Sequence, residues 1–176
     1  MNWVIIFVRS GVEEKVVSTN NVKFKTNGFM PFVPTRETRF KNKGVVEIVR
    51  KPLFPGYIFL RTEIDVDEIP SKLFNILHDM RNVYSVLHYG DNKQDVVVRK
   101  HESANWSRLF DNDFCILGSV GFIEGDTVKV VSGALMGREV MIKKIIRHQQ
   151  KAIVEMEMMG VFREVSLLLE VVEKVI

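Results

Sequence analysis

Residues 54–60 read Phe54-Pro55-Gly56-Tyr57-Ile58-Phe59-Leu60, directly after Pro52-Leu53. The prolines and Gly56 make a rigid bend, because proline fixes φ and glycine tolerates the turn. Tyr57-Ile58-Phe59-Leu60 is then a short β-branched and aromatic run, which predicts a buried strand. A second such run, Trp3-Val4-Ile5-Ile6-Phe7-Val8, predicts a central strand. It is too short for a signal peptide or a membrane span, and no basic region precedes it.

Working outward, Ser10-Gly11-Val12-Glu13 has the S-x-x-E spacing of a capping box. It predicts a helix to about Asn21 with Val12 and Val16 on the inner face. Residues 29–34 hold two prolines and read as extended. Leu73, Ile76, Leu77 and Met80 recur at helical spacing and predict a helix over 66–79. Val83 to Leu87 reads as a strand. A short helix near 100–110 would be anchored by Ala104, Trp106, Leu109 and Phe110.

The pattern changes after Phe110. Asp111-Asn112-Asp113 is a polar break and Gly118, Gly121 and Gly125 follow. Short strands are expected at 127–131, 138–146, 151–158 and 162–169, separated by Ser132-Gly133, His148-Gln149-Gln150 and Gly160, the pattern of a small barrel. The expected organisation is a domain over 1–110, a linker over 111–122 and a second domain over 123–176.

Composition bounds the chemistry. In 176 residues, 46% are hydrophobic and 27% charged, a globular balance. The formal net charge is only +3, so the placement of charge matters more than its sum. The single cysteine, Cys115, excludes an intrachain disulfide, and four scattered histidines lack zinc spacing. A reducing, cytoplasmic compartment fits these counts. Phosphate-loop, dinucleotide, H-E-x-x-H and C-x-x-C signatures are absent from the sequence, so no enzyme, cofactor or metal site is expected. Asp65, Asp67 and Glu68 could bind a metal, but acids at a helix start are the simpler reading.

Two basic clusters stand out. Residues 36–51 hold six cations, among them Arg36, Arg39, Lys41 and Lys43, against Glu37 and Glu47. Asn42-Lys43-Gly44 can turn this stretch into a hairpin. Arg138, Lys143, Lys144, Arg147 and Lys151 fall within fourteen residues, with Glu139 as the one acid. Lys143-Lys144 breaks the strand alternation, and a bulge there would turn both outward. The tip Arg147-His148-Gln149-Gln150-Lys151 could meet phosphates with its cations and base edges with His148 and glutamine. An ordinary solvated hairpin has the same composition. Trp3, Phe54 and Tyr57 read as core, or as a protein-binding pocket beside the bend.

These segments together resemble the NusG family of transcription elongation factors. Trp3 to Val8 with Ser10-Gly11 and Glu13-Glu14-Lys15-Val16 is similar to the family's opening strand and helix. Phe54 to Leu60 resembles its FPGY strand. Gly125-Asp126-Thr127-Val128-Lys129-Val130, with Gly133 and Gly137, resembles the KOW motif, and Leu169 to Lys174 fits the family's end. Gly133-Ala134-Leu135 replaces the usual Gly-Pro-Phe, and Met159-Gly160-Val161-Phe162-Arg163 replaces Phe-Gly-Arg. With Ile142 to Ile145 and Arg147-His148, these departures look more like the LoaP subgroup of specialised paralogues.

The resemblance implies an α+β chain: an N-terminal NGN-type antiparallel sheet with flanking helices, linked to a C-terminal SH3-like barrel, the KOW domain. It implies a monomer that binds the clamp helices of the largest RNA polymerase subunit. Phe54 and Tyr57 would make that contact, with Trp3 beneath or beside them. Arg36, Arg39, Lys41 and Lys43 would approach upstream or non-template DNA. Processive antitermination of target operons would follow, recruited by a leader RNA hairpin on Arg138, Lys143, Lys144, Arg147, His148 and Lys151. The alternative is a general NusG-type elongation factor whose KOW domain is an adaptor for the ribosome or a termination factor. A KOW domain that refolds to helices is disfavoured by its β-branched strands and glycine turns.

Overall fold

A computed structural model describes residues 1–173; Lys174, the last residue of the expected family ending, lies outside them. The chain divides into two compact units, residues 1–34 with 54–104, and residues 35–53 with those from 105 onward.

The first unit is built on β1 (Asn2–Val8), α1 (Glu13–Thr26), β2 (Phe29–Phe32), β5 (Tyr57–Thr62), α2 (Ile69–Leu77) and β6 (Val83–Val86). Its sheet has the order β2-β5-β1-β6, with every pairing antiparallel. The two apolar runs of the sequence are therefore neighbours, with Ile6 opposite Ile58 and Val4 opposite Leu60. Because side chains alternate along a strand, these four share one face. There they pack with Val16 and Phe24 of α1 and Ile69, Leu73, Ile76 and Leu77 of α2. The other face carries Trp3, Phe32, Phe54 and Phe59 in edge-to-face and stacked contacts.

The first helix departs from its expected limits at both ends. Val12, not Ser10, is its N-cap residue and makes no side-chain cap bond. The Glu13 carboxylate instead accepts from the backbone N–H of Gly11 at 2.9 Å and of Gly56 at 2.6 Å. The helix runs five residues past Asn21 because Phe24, fully buried, anchors another turn. The second helix is a 3-10 turn at Val66–Glu68 followed by α2, within the expected span. A third, α3, covers Lys100–Ser107.

The second unit begins with the hairpin of β3 (Thr35–Asn42) and β4 (Val45–Pro52). Lys43 and Gly44 form its two-residue turn with φ of 47° and 88°, the left-handed pair that matches strand twist. Sequence order puts this hairpin among first-domain residues, yet it groups with the second unit. Four contacts hold it there. Thr35 and Arg36 pair in parallel with β7 (Cys115–Ile116). Glu37 Oε2 accepts from Gly118 N at 2.7 Å. Arg36 Nη1 donates to the Ser166 carbonyl. Arg50 reaches Asp111 at 3.6 Å and Asp113 at 3.4 Å. The segment 111–122, read as a linker, thus contributes strands.

The remaining strands are β8 (Ser119–Glu124), β9 (Thr127–Ser132), β10 (Ile142–Ile146), β11 (Lys151–Met158) and β12 (Val161–Val171). They form one curled sheet in the order β10-β11-β12-β8-β9, the SH3-like arrangement expected of a KOW domain. Alternate residues of β11, Ala152, Val154, Met156 and Met158, are buried with Val165, Leu167 and Leu169 of β12. The expected strand 138–146 is shorter, since Glu139–Met141 is a 3-10 turn. The overall class is α+β, as expected.

Candidate functional site

In the first unit, the bend before β5 is held from both sides. Val8 N donates to the Gly56 carbonyl at 2.8 Å, Tyr57 N donates to Phe54 O at 3.2 Å, and Gly56 N donates to Glu13. The bend therefore fixes the ends of β1 and β5 together. Phe54 turns inward and stacks on Phe59 at 6.1 Å, and Trp3 sits edge-on to Phe32 at 5.4 Å. Both Trp3 and Phe54 are buried, 7% and 4% exposed.

Tyr57 is half-buried and belongs to a second row of rings. Its ring is 5.4 Å from Phe7, which is 5.3 Å from Tyr84 of β6. Phe7 is 37% and Tyr84 60% exposed, so three rings form a continuous apolar surface on a sheet. Sequence reasoning missed Phe7 and Tyr84. Phe7 lies in an apolar run that reads as wholly buried, and its cross-strand partnership with Tyr57 appears only once the register is known. Such a surface, rigid and aromatic, suits protein recognition.

Glu13 supports that surface from below. It is 3% exposed and satisfies two backbone donors. Glu13→Ala is expected to destabilise the chain by about 2–3 kcal/mol, because a buried N–H loses its acceptor. Glu13→Gln should fall between, since its amide group brings a donor toward donors. Urea midpoints followed by circular dichroism check both, and an alanine variant that unfolds with the wild type refutes this role.

In the second unit the basic residues separate into distinct settings. Arg36 is partly buried, its guanidinium tied to Ser166 and pushed down by burial. Arg138 is likewise committed, donating to the carbonyls of Ala134 and Met136 at 3.2 Å each. Lys43 is exposed at the hairpin turn. The register of β10 against β11 shifts between Ile142 and Lys144, the expected bulge, and both lysines are exposed. Lys143 lies 3.8 Å from Glu155. Lys143 and Lys144 line a concavity that also contains Asp126 and Glu139. Backbone N–H donors, its own and that of Val130, hold Glu139 below the usual carboxylate range, so this concavity is of mixed sign.

A second groove has a different character. Arg39, Lys41 and Val46 of the hairpin line it together with His148, Gln149 and Lys151. No carboxylate lines it, and none of its three cations is ion-paired among the described residues. Arg147 is exposed at the start of the same 3-10 turn. The segment read as a basic tip is thus a 3-10 turn, and Arg39 and Lys41 line the same groove as its His148 and Gln149.

Groups that could do covalent or acid–base chemistry have other roles. Cys115 is fully buried, and burial pushes its thiol up, away from the reactive thiolate. Burial and then the bond to Glu102 push the Tyr89 phenol well up, so it stays neutral and ties Glu102 to Arg99 N. Asp67 and Glu68 stand in the 3-10 turn before α2 with Asp65 at its cap, and Glu68 pairs with Lys72 at 2.9 Å.

An NGN-type sheet with an aromatic surface and an SH3-like KOW barrel with a basic turn make up the two units. Residues 1–106 match the family described as transcription termination factor nusG, and residues 124–155 match the KOW motif. The chain belongs to the NusG family, a family of transcription factors. It is 28% identical to the transcription termination/antitermination protein NusG of Thermus thermophilus, covering 76% of each chain. A solved structure described as domain interaction in Thermotoga maritima NusG has the same fold. It superposes with a TM-score of 0.53 at 22% identity, covering 96% of this chain and 93% of the other. Among the described residues no helix is long and apolar enough to cross a membrane.

Proposed function

We propose that this chain binds RNA polymerase through its first unit and promotes processive antitermination of target operons, recruited by a leader RNA hairpin that its KOW domain contacts. The observation that carries the reading is the pairing of two unlike surfaces. Tyr57, Phe7 and Tyr84 offer an apolar contact for the clamp helices of the largest polymerase subunit, and Trp3 and Phe54 lie buried in the aromatic cluster of the same unit. Arg147, His148 and Lys151 offer cations and base-reading groups at one turn. Polymerase bridging favours the closed clamp only if the factor binds that state more tightly, so the effect is a shift in population. The factor acts as a cytoplasmic monomer.

Purified polymerase transcribing a terminator template tests this. Readthrough is expected to rise several-fold when the protein and a cognate leader are both present, and to stay near baseline with either one missing. Equal readthrough with and without the leader would remove RNA recruitment from the reading.

A second reading is supported by exposed apolar residues of the KOW unit. Val140 is 92% exposed, Met136 53% and Val131 52%. A general elongation factor would use them as an adaptor for the ribosome or a termination factor. Arg147→Ala and Lys144→Ala separate the readings, because both weaken leader binding and readthrough under the first, whereas under the second the factor's effect on elongation is unchanged.

A further inference from the structure

We infer that the β3–β4 hairpin is one wall of the RNA site, so that RNA is held between Arg39 and Lys41 on one side and the turn around His148, Gln149 and Lys151 on the other. This deepens the RNA reading above and rests on it. Family resemblance assigned the hairpin's cations to DNA, but their placement points elsewhere. Arg39 and Lys41 are two residues apart on one strand, so their side chains share a face roughly 7 Å apart, on the scale of successive phosphates along one strand. They line the same groove as His148, Gln149 and Lys151. The hairpin does not hang free of that groove. Glu37 to Gly118, Arg36 to Ser166 and Arg50 to Asp111 and Asp113 fix it to the same unit as the turn.

The chemistry of the groove fits an RNA loop better than duplex DNA. Cations on both walls neutralise backbone phosphates. Histidine and glutamine carry both donors and acceptors, which suits unstacked base edges and the 2′-hydroxyl. Val46 supplies an apolar floor for a ribose or a base face. Reading base pairs of B-form DNA takes side chains that protrude into a groove, whereas Arg39 and Lys41 line a concavity.

Fluorescence anisotropy with the full chain tests the assignment, using a short RNA stem-loop and a DNA duplex of the same stem sequence across a salt series. Arg39→Ala/Lys41→Ala is expected to weaken stem-loop binding about tenfold and to lower the log–log salt slope by roughly one to two. His148→Ala/Lys151→Ala should act in the same direction. Lys25→Ala/Lys93→Ala removes two exposed charges from the other unit and should leave both quantities unchanged. If the His148/Lys151 pair weakens RNA binding and the Arg39/Lys41 pair does not, the hairpin wall is wrong while the RNA reading stands. If the Arg39/Lys41 pair weakens only duplex DNA, the hairpin serves DNA and the inference is overturned. If neither pair matters for RNA, the RNA reading itself falls and takes the inference with it.

Discussion

Gly133→Ala is expected to destabilise the second unit by about 3–5 kcal/mol, from a left-handed backbone and overpacking together. Gly133 has φ of +89°, and a Cβ there would stand 2.2 Å from the Gly118 carbonyl oxygen and 2.5 Å from Ser119 Cα. Both are backbone atoms, so no side chain can swing aside. Ser119 Oγ, 2.7 Å from the same point, accepts the Leu135 N–H, and Leu135 is 1% exposed. Displacing Ser119 therefore also loosens a core residue. A loss of this size approaches the whole stability of a small domain. Hydrogen exchange should show the amides of β8, β11 and β12 losing protection, with those of β1 and β5 retaining it. Gly125→Ala is the internal control. Its φ is +62° with nothing within 4 Å, so only the conformational cost of about 1 kcal/mol remains. Equal melts for the two variants would show that the close approach is absent in solution.

The same contrast between local and distant causes governs what could be read from the sequence. β1 and β5 were legible because burial on both faces leaves an unbroken apolar run. The hairpin was legible through Lys43-Gly44, and the bulge through two adjacent lysines in an alternating strand. These are local signals. The end of α1 was not legible, because Ser18 to Asn21 interrupt its apolar spacing and Val22, just before the buried Phe24, faces solvent. The cap was misread because Glu13 finds Gly56, 43 residues away, rather than completing a box with Ser10. The grouping of the hairpin with the second unit depends on contacts such as Arg36 with Ser166, 130 residues apart. Nothing in the hairpin's own sequence announces them. The candidate interfaces follow suit: the basic tip was visible as composition, but the distinction between a concavity of mixed sign and a groove without carboxylates needed the fold.

The aromatic surface yields the larger functional effect. Tyr57→Ala and Tyr84→Ala are each expected to weaken binding to purified core polymerase about tenfold, and the double variant about a hundredfold, since truncated aromatic anchors commonly cost about 1–2 kcal/mol or more. Tyr84 is well exposed on the edge strand β6 and packs on Phe7 from there, so its removal should cost less stability than that of the half-buried Tyr57. Tyr57 packs on Phe7 and should cost a little stability as well. Phe74 provides the control. At 74% it is more exposed than any of the three rings, but it lies on α2 and stacks on His78. Phe74→Ala should bind polymerase like the wild type. If exposure and hydrophobicity alone drove the association, Phe74→Ala would weaken it most, and the Tyr57/Tyr84 double variant would bind within about twofold of wild type. The proposed surface requires the opposite order, because Tyr57 and Tyr84 flank Phe7 at 5.4 and 5.3 Å and the sheet fixes all three before a partner arrives. A pre-ordered aromatic patch has little conformational entropy left to lose on binding, and that is why it should outweigh a single, more exposed ring on α2.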